Sequence, residues 1–141
     1  RRKGDVDANT KGKVMENSYL FVYGTLRPDS GHEMGAWLAQ HAHYIGAAKM
    51  KGQMYQVSYY PALVKGDDWI VGDVYACPAE TWPHLDAFEE AEGLDPEYDR
   101  HLTPVLLDTG QWLSAWVYWY RRPTTGMTAV VGGDWLQHLL I

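Results

Sequence analysis

The eight residues WIVGDVYA at 69–76 limit the fold more than any other stretch of the chain. Alternation puts Ile70, Gly72, Val74 and Ala76 on one face and Trp69, Val71, Asp73 and Tyr75 on the other, the period of a strand. Both faces are largely apolar, which a sheet core tolerates and a solvated sheet does not. Strands are also expected at 19–23, 99–107 and 112–120, the last two joined by the turn DTGQ and the last dense in tryptophan and tyrosine. Between 41 and 68, Gly46 and Gly52 interrupt extended segments, which predicts bulges and strong curvature. Pro61 breaks that run, and KGDD at 65–68 reads as a hairpin turn.

Helices are few and short. Met34, Trp37 and Leu38 predict one within 29–40, and Trp82, Leu85 and Phe88 predict another after Pro78. Pro83 should divide the latter into one turn from Pro78 and a segment restarting near Pro83. Asp134 is placed to cap a last helix carrying Trp135, Leu136, Leu139 and Leu140. About six strands with such helices describe an α+β domain dominated by a mixed, strongly curved sheet.

The chain has 141 residues, 46% of them apolar, enough for one core, so 19–141 is expected to be a single domain. Residues 1–18 are polar and aperiodic and read as a disordered or vector-derived tail, with Met15 as a candidate initiator. No run approaches the roughly 18–20 apolar residues that span a bilayer, and no signal core precedes the body, which points to a cytoplasmic protein with no membrane partner. Cys77 is the single cysteine and reads as a small buried hydrophobe. Of the net charge of −6, the tail hides part: residues 19–141 carry 7 basic and 15 acidic side chains, so nucleic-acid binding has little electrostatic footing. No Walker loop, GxGxxG or GxSxG string occurs, and HEMGA at 32–36 fails the HExxH pattern, leaving His41 and His43 without a metal motif.

Seven acids crowd positions 86–99: Asp86, Glu89, Glu90, Glu92, Asp95, Glu97 and Asp99. As a group they read as a solvated helix end and loop. Glu89 differs, because it borders the apolar face defined by Leu85 and Phe88. Partial desolvation and like-charged neighbours would raise its pKa and make it usable as a general acid or base near neutrality.

Two strings, FVYGTLRP at 21–28 and LDAFE at 85–89, occur in order with EYDR at 97–100 and GGDW at 132–135. Together they make the chain, from residue 19 to about 137, resemble the gamma-glutamylcyclotransferase-like superfamily. That resemblance implies a small mixed β-barrel flanked by helices, with the 23–26 loop and a catalytic glutamate meeting at one end. It assigns substrate binding to Tyr23, Gly24, Thr25, Leu26 and Tyr98, and catalysis to Glu89. Glu92, followed by Gly93, is the alternative glutamate under a shifted alignment. Arg27 either pairs with a substrate carboxylate or braces the loop.

The implied reaction closes a γ-glutamyl amide to 5-oxoproline and expels an amine or amino acid. Its nucleophile is the substrate's own α-amine, so no serine, cysteine, metal or cofactor is required, and intramolecularity supplies effective molarities of roughly 10⁵–10⁸ M. Gly24 would let the backbone approach the ligand, and Thr25 and Leu26 would present N–H groups to a carboxylate or oxyanion. The competing readings are a non-catalytic binding module for a small γ-glutamyl or amino-acid-like anion, and a structural interaction domain built on the tryptophans. Neither the leaving amine nor the oligomeric state is encoded in a readable motif.

Overall fold

The computed structural model describes residues 18–89 and 95–140. The candidate Glu92 and nearly all of the expected tail lie outside the described residues, but Ser18 belongs to the first strand. Among the described residues six strands form: β1 Ser18–Val22, β2 His43–Gln56, β3 Pro61–Cys77, β4 Tyr98–Leu107, β5 Trp112–Tyr120 and β6 Thr128–Ala129. The helices are α1 Glu33–His41, α2 Trp82–Phe88 and α3 Trp135–Leu139. None is long and apolar enough to cross a membrane.

Pairing closes a five-stranded ring in the order β3-β1-β5-β4-β2 and back to β3, and β6 adds to β2. β1 runs antiparallel to β3 and parallel to β5, so the sheet is mixed as expected. Each strand of the ring contributes to one interior core, including Phe21, Met50, Ile70, Val74, Val105 and Val117. A second cluster, with Leu20, Val22, Leu38, Tyr75 and Leu85, packs the outer face of β1 and β3 beneath α1 and α2. That double packing explains why 69–76 is apolar on both faces.

Curvature arises where the glycines predicted it. The β2–β3 register shifts between Tyr44 and Gly46 and again between Gly52 and Gln53. The expected turn at KGDD does not form: Val64 and Asp68 pair with the adjacent residues Gln53 and Gly52, so 65–67 bulge from one uninterrupted strand. Long-range pairing with β2 overrides the local turn chemistry. The reversal falls at 57–60 instead, and Pro61 opens β3, where its missing N–H does little harm.

The last helices follow their signals. A 3-10 turn at Ala79–Thr81 leads into α2, whose first turn holds Pro83, where its lack of an N–H breaks no helical bond. Asp134 caps α3 by accepting the Gln137 N–H at 3.1 Å.

Gly72 has no room for a side chain: an added Cβ would strike the Val22 carbonyl oxygen and the Phe21 ring. Gly72→Ala should therefore lower unfolding free energy by about 2 kcal/mol, the usual scale for an overpacked core. Urea titration of the variant reads this directly; an unchanged midpoint would mean that β1 can shift away from β3.

Candidate active site

The segment leaving β1 crosses one end of the barrel and is knitted to itself. Arg27 N–H donates to the Gly24 carbonyl at 3.0 Å, Ser30 N–H to the Arg27 carbonyl at 3.1 Å, and Ser30 Oγ to the Thr25 carbonyl at 2.6 Å. Among the described residues, the N–H groups of Thr25 and Leu26 donate to no protein acceptor. The tight approach that Gly24 permits is to Pro61, whose Cγ would lie 2.7 Å from an added Cβ.

Beside this loop lies a cavity of about 210 Å³. Residues 21–26 form one wall, 59–61 and the start of β4 another, and Phe88 with Glu89 at the end of α2 a third; His32 and Tyr118 complete it. The volume is below that of drug-sized pockets and suits one small metabolite.

The phenols of the wall are turned to protein acceptors. Tyr23 donates to the Tyr118 carbonyl at 2.5 Å, Tyr98 to the Pro61 carbonyl at 2.8 Å, and Tyr118 to Asp86 at 2.7 Å. Burial pushes all three hydroxyls well above the ordinary tyrosine range, so they remain neutral donors. Tyr23 and Tyr98, assigned by resemblance to substrate binding, line the cavity with their hydroxyls spent on the barrel.

Glu89 follows the last residue of α2, its N–H bonded to the Leu85 carbonyl at 2.9 Å. Burial first, and then the charges of Glu97 and Asp86, push its carboxyl from the usual 4.5 up to about 8. No hydrogen bond to its side chain exists among the described residues to oppose that shift. One turn earlier, Asp86 is bound firmly: Arg100 Nε and Nη2 donate to it at 2.7 and 3.0 Å. The Arg100 guanidinium lies 4.5 Å from the Trp82 ring and 4.9 Å from the Trp116 ring. The end of α2, and with it Glu89, is thereby tied to β4 and β5.

Arg27 lies outside the cavity. Its Nε pairs with Asp73 at 2.9 Å and its Nη1 with Asp134 at 3.0 Å, while the Tyr44 hydroxyl bonds the other Asp73 oxygen at 2.7 Å. Of the two roles open to it, the geometry is that of a brace, joining the loop to β3 and to the cap of α3. Of the sequence candidates, the structure brings Tyr23, Gly24, Thr25, Leu26, Glu89 and Tyr98 to one cavity.

Sequence reasoning missed Glu97, Tyr60, His32 and Tyr118. Glu97 is 8% exposed, lines the cavity and accepts a 2.6 Å hydrogen bond from Tyr60. Its signal was adjacency to Tyr98 within EYDR, masked by the surrounding acids. His32 caps α1, its Nδ1 accepting the Met34 N–H at 3.0 Å, and its ring meets the edge of Phe88.

A family model described as gamma-glutamyl cyclotransferase, AIG2-like, matches residues 20–137. The chain is 35% identical over 119 residues to the gamma-glutamylcyclotransferase family protein YtfP of Escherichia coli strain K12, covering 84% of this chain and 96% of that protein. The solution structure of Escherichia coli ytfP superposes with a TM-score of 0.61 at 32% identity, again over 84% of this chain and 96% of that one. The crystal structure of YkqA from Bacillus subtilis gives a TM-score of 0.69 at 30% identity, covering 88% of this chain and 41% of the other.

Proposed function

Because the chain belongs to the gamma-glutamyl cyclotransferase, AIG2-like family, we propose that it closes a γ-glutamyl amide to 5-oxoproline and releases an amine or amino acid, with Glu89 as the general acid–base. The observation that carries this reading is the meeting of a carboxyl raised to about 8 with unoccupied loop N–H groups on the walls of one small cavity.

The Glu89 carboxylate takes a proton from the substrate's α-ammonium, and the freed amine attacks the γ-glutamyl carbonyl carbon to form the lactam C–N bond. Charge developing on the carbonyl oxygen is met by the N–H groups of Thr25 and Leu26; loss of one such donor typically costs about 10²- to 10³-fold. As the original amide C–N bond breaks, the Glu89 carboxyl returns that proton to the departing nitrogen, and the carboxylate so formed takes the extra proton from the new ring nitrogen and passes it to the released amine, which leaves as an ammonium. An ordinary carboxylate is too weak a base for an ammonium; a pKa near 8 narrows the mismatch.

The test is 5-oxoproline release, followed by mass spectrometry, over a panel of γ-glutamyl amino acids and γ-glutamyl amines. At least one member should turn over, and kcat/KM should rise with pH on an acid limb centred near 8, as Glu89 loses its proton. Saturable binding of a panel member without release would instead favour a binding module. A flat profile between pH 6 and 9 would remove Glu89 as the base.

A further inference from the structure

The cavity holds a second carboxylate, Glu97, that the cyclisation steps do not use. Glu97 sits immediately before β4 and is more buried than most charged side chains, at 8% exposure. One of its oxygens accepts the Tyr60 hydroxyl. The other has no hydrogen-bond partner among the described residues, and no lysine or arginine among them lines the cavity. The nearest cations in the sequence are engaged elsewhere: Arg100 with Asp86, and Arg121 with Asp95, Asp99 and the Pro96 carbonyl.

A buried carboxylate is costly unless paired, and one phenol does not supply the missing positive charge. The chemistry that fits is a compact cation with several N–H donors, brought by the ligand. Glu97 and Glu89 border the same cavity, closely enough for the Glu97 charge to help push the Glu89 carboxyl up. An ammonium between them can donate to both at once.

Resting on the cyclotransferase reading, we propose that Glu97, oriented by Tyr60, is a substrate-binding residue that anchors the α-ammonium of the γ-glutamyl group beside Glu89. The division of labour is then explicit. The free Glu97 oxygen accepts one N–H of the ammonium and holds the group in place, and Glu89 removes another of its hydrogens. The α-ammonium is favoured over a cation on the leaving amine because it is the group that Glu89 has to reach.

The experiment separates binding from turnover. The probe is the N-butyl sulfonamide of 2-amino-4-sulfobutanoic acid, which keeps the α-ammonium and α-carboxylate of a γ-glutamyl amide but offers no acyl carbon for attack. Its partner is the same molecule without the α-amine. Calorimetry on the wild type should show the amine-bearing probe binding about 10- to 100-fold more tightly, the scale of a charged hydrogen bond. In Glu97→Gln that preference should fall severalfold, Glu89 remaining as a partner of the ammonium, while the des-amino probe binds as before.

Tyr60→Phe, which leaves the carboxylate in place but frees it to rotate, should reduce the preference in the same direction. If Glu97→Gln does not fold, as read by thermal melting, Tyr60→Phe alone decides. A preference unchanged in the folded variants overturns the role of Glu97, and wild-type release of 5-oxoproline would then leave the reaction itself standing. Failure of the wild type both to release 5-oxoproline and to bind either probe overturns both.

Discussion

Glu89→Gln is expected to keep the barrel folded and to lose at least about a hundredfold in kcat, the lower end of what a positioned acid–base group contributes. The amide matches the carboxyl in shape but can neither take the ammonium proton nor return it to the leaving nitrogen. Stability supplies the control. The folded protein holds the Glu89 proton up to about pH 8, whereas an unfolded glutamate releases it near 4.5. Stability associated with neutral Glu89 is therefore complete below about pH 4.5 and is lost as pH rises through about 8. Glutamine escapes that loss, so the variant should melt at least as high as the wild type at pH 9. Low activity with a raised melting temperature identifies a group kept at the expense of stability. Undiminished activity would take Glu89 out of the mechanism and turn attention to Glu92.

The barrel was legible where neighbours in sequence are neighbours in space. The β4–β5 hairpin around DTGQ and the Asp134 cap need only local chemistry, and both form as their residues predict. KGDD misled because its four residues prefer a turn, while Val64 and Asp68 are held by the partner strand, a long-range fact that no local propensity contains. The site divides in the same way. Glu89 announces itself by bordering an apolar helix face. Glu97 does not, since among seven nearby acids it is distinguished only by burial and by Tyr60, 37 residues earlier in the chain. The role of Arg27 was undecidable for a related reason: its acceptors, Asp73 and Asp134, lie 46 and 107 residues away.

Arg100→Met should destabilise the protein by about 3 kcal/mol, between the small worth of an exposed ion pair and the cost of breaking a buried one. The arginine and Asp86 side chains are 26% and 22% exposed, and the lost stacking on Trp82 and Trp116 adds to the pair itself. Catalysis should respond through Glu89, one turn beyond Asp86. With its cationic partner gone, Asp86 presents an unbalanced negative charge, so the Glu89 carboxyl holds its proton to still higher pH and the acid limb of kcat/KM moves alkaline. Asp86→Asn removes that charge and should move the limb the other way, although it too loosens the end of α2. Chemical denaturation and pH–rate profiles of both variants read the two effects separately. Opposite displacements of the limb are the signature of an electrostatic tie. Equal displacements would mean that Arg100 and Asp86 serve the site only by fixing where α2 ends.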